Sequence, residues 1–128
     1  MKIEHIAFVV DDPDAVAKWY CDHLGMQVLR QGPPPVRMTF LADSEGQTMY
    51  EIYAQPTVET PDYASMNPLA LHFAFYAEDI ETEFAKLKAA GATVIQEPEP
   101  TDAGDILAML RDPWGVCVQL VHRKEKML

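Results

Sequence analysis

A chain of 128 residues is one domain's worth of material, long enough to remove roughly two-thirds of its unfolded surface from water. Twenty acidic against 10 basic residues leave a net charge of −10, which repels a phosphate backbone and argues against nucleic acid as a partner. No apolar run approaches the roughly 18 residues a membrane-spanning helix needs, so no membrane partner is expected. MKIEHIAFVV runs straight into a strand pattern and Cys21 and Cys117 make no disulfide framework, which together predict a cytoplasmic address.

The first predicted strand covers 2–10 and carries His5. Asp12, Pro13 and Gly25 bracket a helix over 13–24. They supply an N-cap acceptor, a proline suited to the first turn and a glycine for the left-handed C-terminal position. Val16, Trp19, Tyr20 and Leu24 recur at helical spacing and form its buried stripe. Strands follow near 26–31, 36–42 and 48–54. Residues 55–69 hold three prolines and little periodicity, and read as a connector. The order then repeats: strand 70–77, helix 79–90 with Ile80, Phe84 and Leu87 facing inward, and strands near 92–96, 105–111 and 115–122. EPEPTDAGD, 97–105, reads as a solvated loop, with a flap over a site as the other reading.

Residues 4–29 and 71–95 therefore share one pattern, in which His5 aligns with His72, Asp12 with Asp79, Gly25 with Gly91 and Val28 with Val94. Such a repeat means two copies of a supersecondary unit too small to close a core alone. The expected organisation is a first module over 1–54, a connector over 55–69 and a second module over 70–123, all in one structural domain. The fold class is α+β: two βαβββ modules forming a concave mixed sheet with the helices outside.

Polar residues interrupt the apolar strands at matching places. Alternate strand residues share a face. His5 lies with Ile3, Ala7 and Val9, and His72 with Ala74 and Tyr76. On the last strands, Glu51 lies beside Met49 and Tyr53, and Gln119 beside Cys117 and Val121. A carboxylate in such a strand is costly unless compensated. Two imidazoles, a carboxylate and an amide oxygen on one face suit a divalent metal. A polar cavity without metal is the other reading, and Glu51 taken alone could pair with an arginine.

The paired histidines, the DD and ED turns, WYCDHLGM and FAKLKAAGA, YEIY and DPWGVCVQLVHR together resemble the vicinal oxygen chelate superfamily over nearly the whole chain. That superfamily includes glyoxalase I, bleomycin-resistance proteins, extradiol dioxygenases, fosfomycin-resistance proteins and methylmalonyl-CoA epimerase. The resemblance implies a metal site drawn from the first and last strand of each unit, which here are His5, Glu51, His72 and Gln119. It also implies a divalent cofactor (Zn, Ni, Co, Mn or Fe) and a homodimer with sites at or near the interface. Glyoxalase-like members carry Glu at the fourth position, and this chain carries Gln119. Epimerase-type members use His, Gln, His and Glu, the same set mirrored between the halves.

A neutral amide can coordinate or donate a hydrogen bond but cannot take a proton, so Glu51 is the expected base. The expected activity is that of a metal-dependent lyase or isomerase moving a proton next to a carbonyl of a small molecule. Glutathione-using members have an arginine four residues after the first ligand, and Val9 stands there. Two other functions stay open. One is a metal-free protein of bleomycin-resistance type that sequesters a small molecule, with Met38, Met49, Tyr53, Tyr76 and Met109 near its cavity. The other is an iron-dependent ring-cleaving dioxygenase using His5, His72 and Glu51. His23 and His122 look peripheral. Arg37 reads as a surface ion pair or an anion contact, Arg111 as support for the 112–115 turn, and Cys117 as an inert buried thiol, a soft ligand or a reactive thiol.

Overall fold

The computed structural model describes residues 1–127, which fall into two compact units, one over Met1–Pro61 and one over the described residues from Asp62 onward. Unit 1 contains β1 (Ile6–Val9), α1 (Pro13–Leu24), β2 (Gln27–Gln31), β3 (Thr39–Ala42) and β4 (Met49–Tyr53). Unit 2 contains β5 (Phe73–Tyr76), α2 (Ile80–Ala89), β6 (Thr93–Pro100), β7 (Ile106–Arg111) and β8 (Cys117–His122), preceded by a 3-10 turn over Tyr63–Ser65. The sheets have the orders β1-β4-β3-β2 and β5-β8-β7-β6. In both, the first and last strands pair in parallel and the remaining pairs are antiparallel.

Each helix forms where its sequence supplies both ends. Asp12 accepts a hydrogen bond from the Ala15 amide at 3.0 Å, and Asp79 accepts one from the Thr82 amide at 3.1 Å. These acceptors satisfy backbone donors that have no partner within the helix. Gly25 closes α1 at φ 69, a left-handed geometry that a Cβ disfavours. Val16, Trp19 and Tyr20 on α1, and Ile80, Phe84 and Leu87 on α2, are buried. They cover Leu41, Tyr50 and Ile52 in unit 1, and Ala108, Leu110, Val118 and Leu120 in unit 2. One face of each sheet is therefore sealed by its helix.

The duplication extends to irregularities. The β2·β3 register slips between Val28 and Arg30, and the β6·β7 register slips between Val94 and Gln96. A bulge thus recurs one residue beyond the aligned valines.

Three expectations need correction. Residues 97–100 are strand, not loop, because β6 runs through Pro100. It is an edge strand, where Pro98 and Pro100 can sit without removing a bond from the sheet interior. β3 begins at Thr39 rather than 36. The Pro33–Pro35 run lacks amide donors, and Arg37 then turns through φ 52. His5 and His72 stand just before β1 and β5 rather than within them.

The connector is divided between the units. Thr60 donates to Asp11 in unit 1. Arg111 holds the other end, donating to the Tyr63 and Met66 carbonyls at 2.8 and 2.6 Å and to the Gly115 carbonyl at 2.9 Å. It supports the 112–115 turn as expected and also clamps 63–66 against it. Gly115, at φ 92, lets the turn approach so closely that a Cβ there would lie 2.6 Å from the Ala64 amide nitrogen. Gly115→Ala is expected to cost about 1–3 kcal/mol from backbone strain alone, with the clash adding to it. Thermal unfolding checks this: a melting temperature equal to wild type would mean that the turn relaxes freely.

Candidate metal and catalytic site

The sheet register fixes the site residues row by row. In unit 1, Ala7, Glu51, Phe40 and Arg30 are successive cross-strand partners. In unit 2 the same row reads Ala74, Gln119, Met109 and Gln96. Glu51 and Gln119 therefore hold equivalent positions, each beside an alanine two residues after a histidine. Their strand neighbours, Tyr50 and Ile52 in one unit and Val118 and Leu120 in the other, are buried. The period of two thus directs Glu51 and Gln119 to the face that carries no helix.

His5 and Glu51 are brought together. His5 Nε2 lies 3.1 Å from Glu51 Oε2, with side-chain exposures of 33% and 16%. The other ring nitrogen, Nδ1, contacts the Glu4 carboxylate, and the ring packs edge-on against Phe40 at 5.6 Å. A carboxylate only accepts, so Nδ1 carries a proton toward Glu4. Nε2 and Glu51 Oε2 then face each other as two acceptors unless a positive charge lies between them. A second proton meets that need. The hydrogen bond to Glu4, aided by the charges of Glu4 and Glu51 and opposed by desolvation, raises the His5 pKa above its ordinary value.

A metal cation meets the same need. Two donors each about 2.1 Å from a common ion stand about 3.0–3.4 Å apart in octahedral or tetrahedral geometry, and the observed separation falls in that range. The donor chemistry and spacing therefore suit a divalent metal.

In unit 2, His72 Nδ1 lies 2.8 Å from the Pro68 carbonyl oxygen, again an acceptor, so Nε2 is left with its lone pair. Gln119 is buried at 8% exposure. Both histidines thus have Nδ1 engaged by an acceptor, as a ligand histidine with a supporting partner does. Among the described residues, no three or more His, Cys, Asp and Glu side chains are grouped so as to hold a metal ion. Unit 1 brings His5 and Glu51 together, and unit 2 places His72 and Gln119 at the equivalent strand positions.

The other residues singled out from the sequence lie in structural roles. Arg37 Nε donates to Asp14 at 2.9 Å, the surface ion pair. His122 Nδ1 lies 3.1 Å from the Ala77 carbonyl oxygen, and its ring stacks on Tyr76. The His23 ring rests against Trp19. Two partners went unread in the sequence. Glu4 was visible only as the neighbour of His5, and the Pro68 carbonyl left no side-chain signal at all.

The fold is a duplicated βαβββ protein with a His5–Glu51 pair in its first half and His72 and Gln119 at the matching positions of its second. Residues 2–120 match the profile of the Glyoxalase/Bleomycin resistance protein/Dioxygenase superfamily, and the chain belongs to that superfamily. It is 28% identical over 128 residues to the lactoylglutathione lyase of Haemophilus influenzae, covering 97% of this chain and 94% of that one. It is likewise 28% identical to a probable lactoylglutathione lyase of Synechocystis, covering 98% of each. Among solved structures, a glyoxalase-family protein from Bacillus cereus superposes with a TM-score of 0.80 at 16% identity, over 95% of this chain and 93% of that one. A single-residue variant of glyoxalase I from Zea mays gives 0.78 at 25% identity, over 97% of this chain and 46% of that longer one. The chain is glyoxalase-like in sequence and fold.

Cys117 is buried and Cys21 half-buried. Burial pushes the Cys117 thiol pKa up, which lowers its thiolate fraction and its reactivity. Iodoacetamide at neutral pH is therefore expected to alkylate Cys21 first and Cys117 only after denaturation, read by peptide mass spectrometry. Early labelling of Cys117 would contradict its placement as an inert thiol.

Proposed function

We propose that this chain is a metal-dependent lyase or isomerase of glyoxalase type that moves a proton on carbon next to a carbonyl of a small molecule. The observation that carries this reading is the approach of His5 Nε2 to Glu51 Oε2 at 3.1 Å, the spacing of adjacent ligands on one ion. The names of the curated relatives support the lyase class. His5, Glu51, His72 and Gln119 are the ligands of one divalent ion (Zn, Ni, Co, Mn or Fe). Each unit contributes one pair, and two copies of the chain in a homodimer bring complementary pairs to a shared site. When bound, the ion supplies Lewis-acid stabilisation of negative charge on the carbonyl oxygen.

The chain's own groups handle the proton. Glu51 is the one carboxylate among the four, so it takes the proton from carbon and returns it to the neighbouring atom. Gln119 holds and orients through its amide oxygen and can move no proton. The glutathione-binding arginine of related enzymes has no counterpart here, since the matching residue is Val9, buried at 9% exposure. A cosubstrate other than glutathione follows from that substitution. Sequestration without turnover is the second reading. It draws on Tyr76, at 66% exposure, and on half-buried Met38, Met49 and Tyr53, which offer aromatic and thioether surface to a ligand.

Metal analysis of the purified protein, followed by a substrate screen, separates these readings. Stoichiometric Zn, Ni, Co or Mn supports the lyase or isomerase, iron with ring cleavage supports the dioxygenase, and no metal uptake supports the binder. On an active substrate, Glu51→Gln is expected to lower turnover by about 10²–10⁴-fold. Full turnover by that variant would remove Glu51 as the base. Gln119→Glu, assayed with an α-oxoaldehyde and a panel of small thiols, is expected to raise glyoxalase-type turnover. An unchanged rate would mean that the amide does not set the reaction.

A further inference from the structure

We infer that Glu4 is a positioning residue of the metal site: it holds His5 in the tautomer that presents Nε2 and returns to the site the negative charge that Gln119 lacks. This rests on the four-ligand reading above. The geometry is that of a carboxylate–histidine–metal relay, with Glu4 on Nδ1 and Glu51 3.1 Å from Nε2. Comparison of the two units sharpens it. In the repeat, Leu71 stands where Glu4 does, and His72 takes its Nδ1 partner from the Pro68 carbonyl instead, at 2.8 Å. Both histidines thus have the same ring nitrogen engaged, one by an anion and one by a neutral dipole.

The charges follow the same division. Glu51 and Glu4 both belong to unit 1, while their counterparts Gln119 and Leu71 are neutral. A set of two histidines, one carboxylate and one amide leaves a divalent ion with one uncompensated positive charge. A carboxylate hydrogen-bonded to a ligand imidazole makes that ring a stronger donor and offsets part of the excess. Glu4 is 69% exposed, so solvent screens its charge. The expected effect therefore lies at the low end of what such supporting partners contribute.

The test titrates the whole protein with Ni²⁺ alone against a chromophoric chelator, for wild type, Glu4→Leu and Glu4→Gln. A parallel measurement follows the ¹⁵N resonances of the His5 imidazole without metal at about pH 8.5, where a free histidine is neutral. Glu4→Leu is expected to weaken Ni²⁺ binding about 10-fold and to turn His5 from the Nδ1–H form toward the Nε2–H form that donates to Glu51. Glu4→Gln keeps an acceptor without the charge, so it is expected to restore the tautomer and only part of the affinity. If wild type binds Ni²⁺ and Glu4→Leu matches it within about 2-fold with His5 unchanged, the role of Glu4 is overturned while the site stands. If wild type binds no Ni²⁺, the four-ligand reading falls, and this inference falls with it. Glu4→Gln with wild-type fold and tautomer but the full affinity loss would overturn the orienting share and leave charge alone.

Discussion

In each unit the first and last strands lie side by side in parallel, and that pairing decides where chemistry can occur. Parallel neighbours require a long crossover, here a helix and two further strands, so residues distant in sequence meet at one end of the sheet. His5 reaches Glu51 this way, and the same pairing sets Gln119 beside Ala74. The side-chain period of two does the rest. Tyr50 and Ile52 are sealed under α1, which forces Glu51 to the opposite face. A one-residue slip of β4 would drive the carboxylate into the core and expose two large apolar side chains. The catalytic candidate is thus held by the same packing that stabilises the unit.

Duplication supplied two such positions, and they have diverged in charge while keeping their geometry. The row through unit 1 carries Glu51, Phe40 and Arg30, and the row through unit 2 carries Gln119, Met109 and Gln96. The more deeply buried of the two equivalent positions has the amide, at 8% exposure. An amide costs less than a carboxylate in such a place. One of the two equivalent positions therefore carries a charged acceptor able to take a proton, and the other a neutral amide that is not.

Much of this was legible in the chain itself, for physical reasons that can be named. Helix α1 follows from Asp12, Pro13 and Gly25, each matched to one terminal position, and its observed span, Pro13–Leu24, equals the expected one. The internal repeat pointed to His5, Glu51, His72 and Gln119 because strand period and copy number constrain each other. What escaped depended on tertiary placement. Pro98 and Pro100 read as loop residues, and only the edge position of β6 admits them to a strand. Arg111 read as a local turn residue, yet its reach to Tyr63 and Met66 is long-range. Glu4 belongs to no motif of its own, and the Pro68 carbonyl has no side chain to betray it.

The central claim is that the two sets of donors, alike in strand position and unlike in charge, grip one ion. A crystal of the nickel-loaded protein, with anomalous scattering collected at the nickel edge, tests it most directly. The account predicts one strong peak per chain, in contact with Nε2 of two histidines, a carboxylate oxygen of Glu51 and the amide oxygen of Gln119. A peak on other side chains, or one touched by a single pair with the second pair turned elsewhere, would contradict it.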